Sequence, residues 1–268
     1  MADGRGAVAV ADLKAIYILW YREILRLRRD RMRLIVSLVS PLLYLVVFGV
    51  GLSRPMGMLT GGINFTQFLF PGIVAMAVLM SGLMSGMAVV WEREMGFLRE
   101  VLVAPVSRWS IVVGKTLGGS TVAIAQGLLL LILAPVVGIS ISLTSFLWLF
   151  PLLLAVAFAL GSLGVLIASR THTMEGFQVM MNMFLMPLIF LSGIFFPVAG
   201  LPSWMNIVVK VNPVTYAVDG IRQLLLGAAA PPLMVLEHTM SILSDGLVVV
   251  ALGSLVAFLA IWSFRFQE

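Results

Sequence analysis

Six long apolar runs, at 34–52, 67–90, 111–137, 146–169, 177–197 and 243–264, constrain this chain more than any other feature. A bilayer's hydrocarbon core is about 30 Å thick and takes about 20 mainly apolar residues to cross as a helix. The runs reach that length, and none alternates as a half-buried strand would. With 61% hydrophobic and only 11% charged residues, against about 25% charged in a soluble domain, no water-soluble fold could absorb the apolar surface. The expected fold is an all-α polytopic membrane protein with six transmembrane helices. Pro135 sits late in the third run, which predicts that this helix tilts, kinks or ends early.

Basic residues set the orientation. Fourteen of the 17 Lys and Arg fall in 1–33, 91–115, 170–176 and 265–268, and only Arg54, Lys210 and Arg222 lie in the alternate segments. The positive-inside rule then puts both termini in the cytoplasm. The net charge of +5 is read as facing anionic lipid rather than nucleic acid. Residues 1–14 lack a basic region followed by an apolar stretch and a small-residue cleavage site, so no cleaved signal peptide is expected. The expected organisation is a cytoplasmic N-terminal segment over 1–33, a six-span domain over 34–264 and a cytoplasmic tail over 265–268.

Two segments outside the runs read as helices. Leu13, Ile16, Tyr17, Trp20, Ile24 and Leu27 recur at helical spacing beside Lys14, Arg22, Arg26 and Arg29, the pattern of an amphipathic helix lying in the membrane interface. Between the fifth and sixth runs, Ser203 reads as a cap for a helix of about 8 residues. Asn212 and Pro213 read as the N-cap and first position of a second helix of about 14, stopped by Gly227. Too short to span, these two form an expected re-entrant pair on the outer side. On the second, Asp219 and Arg222 are three apart and can pair.

No enzyme signature survives inspection. Gly114-Lys115-Thr116 imitates the tail of a phosphate-binding P-loop, but the loop needs a glycine at position 109, where this chain has Trp. Lys115 reads instead as a snorkelling cation. His172 and His238 lie on opposite sides of the expected membrane, no nucleophile elbow is present, and there is no Cys. No catalytic residue, bound cofactor or metal is assigned. Among the few polar residues in the spans, Gln126, Gln178 and Asn182 serve either as hydrogen-bonding glue or as substrate contacts.

Two further patterns bear on packing. Gly82 and Gly86, flanked by Ser81 and Ser85, permit close helix approach in the second span. Met80, Met84 and Met87, like the cluster Met180, Met181, Met183 and Met186, offer an adaptable surface for apolar ligands or ordinary packing.

From Trp91 to Arg108 a cytoplasmic segment places Met95, Leu98, Val101 and Leu102 on one face with Glu92, Arg93, Arg99 and Glu100 supplying charge, and Pro105 ends the helix. It is either a docking surface or a connector held on the bilayer. Its residues, Glu92-Arg93-Glu94, Gly96, Leu98 and Glu100 through Arg108, followed by Gly114-Lys115, resemble the membrane subunits of ABC-2 type exporters. So do Phe196-Pro197, Leu201-Pro202 and the run Asn212-Pro213-Val214-Thr215-Tyr216-Ala217-Val218-Asp219-Gly220-Ile221-Arg222.

The resemblance implies a pair of such subunits, each docked on a separate cytoplasmic ABC ATPase that uses ATP and Mg, with two ATPase subunits per complex. It makes Glu92, Arg93, Glu94, Gly96, Leu98, Arg99, Glu100 and Leu102 the coupling helix. Asn212, Pro213, Tyr216, Asp219 and Arg222 become the outer re-entrant element. The first and fifth spans would line the dimer interface and export path, with Gln178, Asn182, Phe195 and Phe196 as candidates on it. The expected function is export of an amphiphilic drug-like or lipid-linked molecule across the cell membrane. The alternatives are export of a lipid-linked glycan past outer aromatics such as Phe65, Phe68, Trp204 and Tyr216, or an intramembrane enzyme or assembly factor.

Overall fold

The computed structural model describes residues 2–53, 63–96, 107–198, 201–230, 233–235 and 238–264. Helix α1 covers Ala2–Arg29 and turns at Asp30 into α2, Arg31–Gly51. Then come α3, Phe65–Met84, continued by α4, Met87–Glu94; α5, Arg108–Leu131; and α6, Leu143–Arg170. Next are α7, Met174–Phe190, the short pair α8, Ser203–Val211, and α9, Pro213–Leu226, and finally α10, Ile242–Phe264. Apart from a hairpin pairing Met234–Val235 with His238–Thr239, the regular structure described is helical.

Five of these stretches are long and apolar enough to cross a bilayer: Leu34–Gly51, Phe65–Glu94, Arg108–Leu131, Leu143–Arg170 and Ile242–Ser263. The expected fifth span is shorter than its apolar run. Helix α7 has 17 residues, roughly 25 Å of rise, and stops at Phe190 while the run continues to 197. The carbonyls left at and beyond its end are met by side chains from elsewhere. The Asn212 amide donates to the carbonyls of Leu188 at 3.1 Å and Leu191 at 2.7 Å, and Arg222 donates to that of Gly193 at 3.0 Å. The third run also ends early, as Pro135 predicts: α5 stops at Leu131 and a 3-10 turn, Ala134–Val137, follows. Gln67 donates to the carbonyls of Val137 and Gly138 at the end of that turn.

Helices α3, α5 and α6 form the centre, each with more than half of its apolar window buried, while α2 and α10 are peripheral at 17% and 28%. The centre closes on small residues. A Cβ added at Gly86 would lie 2.1 Å from the carbonyl oxygen of Gly164, and one at Gly164 would lie 2.2 Å from that of Leu83. Backbone therefore meets backbone where α6 crosses the α3–α4 break, and the Ser85 hydroxyl donates across the crossing to the Gly161 carbonyl at 3.2 Å. The Gly82–Gly86 pattern is thus used for helix contact.

The amphipathic N-terminal helix is present but longer than the pattern suggested, and it lies against α5. Gly114 and Gly118 receive Leu19 and Glu23 at close range, and the Trp20 indole donates to the Thr121 hydroxyl at 2.9 Å. Leu13 and Tyr17, placed by periodicity on the same face as Trp20, are exposed. In the short pair, Pro202 rather than Ser203 occupies the N-cap of α8 and no side chain caps it. Asn212 does cap α9, accepting from the Val214 amide at 2.9 Å, and Gly227 at φ +57° ends it.

Replacing Gly164 by Val should push α6 off the α3–α4 break, because the obstructing atoms are backbone and cannot rotate away. We expect a loss of roughly 1–3 kcal/mol, measured as a lower thermal midpoint of the purified protein, with Gly246→Ala, which has open space around it, as the unaffected control.

Candidate coupling site at the Glu92 junction

Helix α4 leaves the bundle centre and ends in Trp91-Glu92-Arg93-Glu94, and each of its three charged residues reaches a different neighbour. Glu92 accepts from Lys115 on α5 and from Arg22 on α1. Arg93 donates to the carbonyls of Ala168 and Thr171 at the end of α6, groups that a helix C-terminus leaves without intrahelical donors. Glu94 accepts from the Met174 amide at 2.8 Å, at the first turn of α7, where the helix dipole favours an anion. Gly96, at φ +79°, then turns the chain toward 97–106. Leu98, Arg99, Glu100 and Leu102 lie outside the described residues.

Lys115 does not snorkel: its side chain is 4% exposed, and Glu92 supplies the charge that a buried ammonium requires. Beside this pair, Arg22 also lies 3.9 Å from Glu23, and Glu23 binds Arg26 at 3.2 Å. A second tether joins α1 to the start of α5. Asp12 accepts from the Ser107 amide at 2.7 Å and the Ser110 hydroxyl at 3.2 Å. Ser107, through its side chain and backbone amide, holds the Asp12 carboxyl below the usual carboxylate range. Sequence reasoning missed this tether and the buried state of Lys115. The available signal for the tether was Asp12 itself, an acid opposite Ser107, the N-cap of α5.

At the opposite end of the bundle the other expected residues separate into roles. Asp219 and Arg222 do not pair directly. Arg222 lies 4.0 Å from the centre of the Phe68 ring and donates to Gly193, while Asp219 accepts from Gln223 at 2.7 Å. The same Gln223 amide donates to Asp245 at 3.1 Å, a fully buried acid in the first turn of α10 that the sequence reading left out of its polar inventory. The Tyr216 hydroxyl donates to the Lys210 carbonyl at 2.6 Å, locking α9 to α8. Pro213 stands at the first position of α9. Gln178 and Asn182 are exposed on one face of α7, one helical turn apart. Phe195 and Phe196 are half-buried, and the Phe195 ring centre lies 5.2 Å from Phe48 and 6.0 Å from Tyr44, joining α7's end to α2.

The profile of the ABC-2 type transporter family matches residues 14–226. The chain belongs to that family. The match runs from α1 to the end of α9, so the Glu92 junction and the α8–α9 cap both lie inside this ABC-2 domain. Among its relatives is ycf38 of Cyanophora paradoxa, which carries the name of a transport permease; it is 28% identical over 217 residues, covering 78% of this chain and 73% of that one. The inner membrane transport permease YadH of Escherichia coli (strain K12) is 29% identical over 232 residues, covering 82% and 86%. YbhR of the same organism, named for multidrug transport as an ABC transporter permease, is 28% identical over 170 residues, covering 63% of this chain and 46% of its own.

Replacing Glu92 by Gln leaves the Lys115 ammonium buried without its counter-charge. A loss on the order of 3 kcal/mol is expected, and Lys115→Met in the same chain should restore much of it; thermal unfolding of both single variants and the double variant measures the coupling. The Asp12 tether carries its own pH signature. Its folded pKa lies below the unfolded value of about 3.9, so its contribution is fully present above that value and is lost as pH falls through the folded one. The wild-type advantage over Asp12→Asn in thermal midpoint should therefore hold near neutral pH and shrink on acidification below about pH 4.

Proposed function

We propose that this ABC-2 chain is the membrane-spanning subunit of an ATP-driven exporter that moves an amphiphilic molecule out of the cytoplasm or inner leaflet. Two copies pair in the cell membrane, and two separate ABC ATPase subunits, which use ATP and Mg, dock on the cytoplasmic side. The chain itself holds no nucleotide site. The observation that carries this reading is the division of labour in Glu92-Arg93-Glu94. Immediately before 97–106, three consecutive side chains grip α1 and α5, the end of α6 and the start of α7. A displacement applied there is passed to four helices at once, which is what mechanical coupling to a nucleotide-driven partner requires.

The topology proposed for this function has six spans, with α7 and the stretch after it forming the fifth and the α8–α9 pair re-entering from outside. Helix ends support it. The ends of α4 and α6 and the starts of α5 and α7 meet at the Glu92 junction, and Ser263 near the end of α10 accepts from Arg170 at the end of α6 at 2.9 Å. This basic end is the cytoplasmic one by the distribution of Lys and Arg. The exposed faces of α2 and α7, which carry Val36, Leu43 and Val47 on one helix and Val179, Met183 and Met186 on the other, suit pairing with a second copy. Gln178 and Asn182 then lie beside the path between copies.

Amphiphile export is favoured over glycan export. Phe65, Phe68 and Tyr216, three of the aromatics that would serve a sugar path, are at most 6% exposed within the core. The name of YbhR points the same way.

The test is reconstitution with the cognate ATPase in proteoliposomes. The complex should move a fluorescent amphiphile only with ATP and Mg. Arg93→Ala should retain basal hydrolysis while transport falls about tenfold, or roughly 1.4 kcal/mol of lost coupling. Nucleotide-independent accumulation, or equal loss of hydrolysis and transport, would remove this assignment.

A further inference from the structure

A cavity of about 810 Å³ opens between the second half of α1, the first half of α2, the α3–α4 break and α5. It lies within one chain, and its walls do not include Gln178, Asn182, Phe195 or Phe196. That size matches sites that hold a drug-sized molecule, which run from about 300 to 1,000 Å³.

Its lining changes character with depth. The end beside the Glu92 junction carries Glu23, Arg26, Asp30 and Lys115, two carboxylates and two cations. Adding the partners Arg22 and Glu92, the signs still balance. A ligand with a single net charge would upset that balance, whereas a head carrying both charges can exchange partners with the existing ion pairs and leave it neutral. Further in, the wall is formed by Met80, Met84 and Met87, the series singled out in the sequence and here gathered on one side. Unbranched, polarizable side chains of this kind fit apolar bodies of varied shape. On the α5 and α2 walls the Gln126 amide donates to the Ser37 hydroxyl at 2.6 Å, and Ser40, Ser81 and Ser85 add hydroxyls to the lining.

We propose that this cavity is a loading pocket for a single-chain amphiphile with a zwitterionic head, held with its head at the Glu23–Arg26 end and its chain along the methionine wall. The pocket also abuts the junction: Lys115 lines it while binding Glu92. An occupant is therefore one residue away from the group that connects α4 to α1 and α5. The proposal rests on the export reading for the direction in which the ligand then moves, but binding requires neither ATPase nor transport.

The experiment uses the full chain, without ATPase, in nanodiscs, and a dansyl-labelled single-chain phosphocholine below its micelle concentration. Saturable binding in excess of empty nanodiscs is expected. Trp placed at Ser81 or Met84, both on the wall, should weaken it by about tenfold, while Leu255→Trp, exposed on α10, should not. Thermal midpoints identify any variant that fails to fold, and either wall variant alone suffices. Dodecylphosphocholine should displace the probe at least about fivefold better than dodecyltrimethylammonium or dodecyl phosphate. Partition equal to empty nanodiscs, or affinities within about twofold of wild type in every folded wall variant, would overturn the pocket. Equal competition by all three heads would overturn the zwitterion assignment. ATP-driven transport without pocket binding would leave the export reading standing and remove this one. Pocket binding without transport would do the reverse.

Discussion

Inside hydrocarbon there is no water to accept the hydrogen bonds of an interrupted helix, so each break must be closed by the protein itself. That requirement organises this chain. The end of α6 is closed by Arg93, the end of α7 by Asn212 and Arg222, and the turn after α5 by Gln67. Each closing side chain comes from a different segment, so satisfying the backbone also fixes the arrangement of the helices. Only 11% of the residues are charged, and the polar side chains named above each meet the backbone where a helix ends or turns.

The Glu92 junction applies the same economy to charge. A buried ammonium and two guanidinium groups are held by carboxylates on α1 and α4, and the close crossing of Gly86 and Gly164 keeps α4 in line with α6. Removing water from such pairs strengthens them only while both partners remain, which is why the junction is stiff in one geometry and would be costly in any geometry that separates them. Stiffness of this kind suits a part that relays motion.

Much of the fold was legible because apolar length and local capping are properties of short stretches. Five span-length helices start within a few residues of apolar runs, Pro135 marks the early end of α5, Asn212-Pro213 starts α9 and Gly227 stops it. What was not legible depends on which side of a helix meets protein and which meets lipid. Both surroundings are apolar, so periodicity assigns no packed face: Leu13 and Trp20 share a stripe by spacing, yet one is exposed and the other bound to Thr121. Spacing likewise allowed Asp219 and Arg222 to pair, but Arg222 turns to Gly193 and Phe68 outside the helix, and Asp219 to Gln223 one turn on. Lys115 was misjudged because a cation near a span end looks the same in sequence whether it reaches out to water or inward to Glu92.

Asp245 bears on the order in which the chain is made. It lies in α10, and the partners it meets on α9, Asp219 and Gln223, are made before it. Helix α10 has its other end fastened through Ser263 to Ser169 at 2.7 Å. An acid in its first turn would resist lodging alone in lipid. The docking of α10 is thus conditional: this helix finds its seat only when α9 is already in position to receive it.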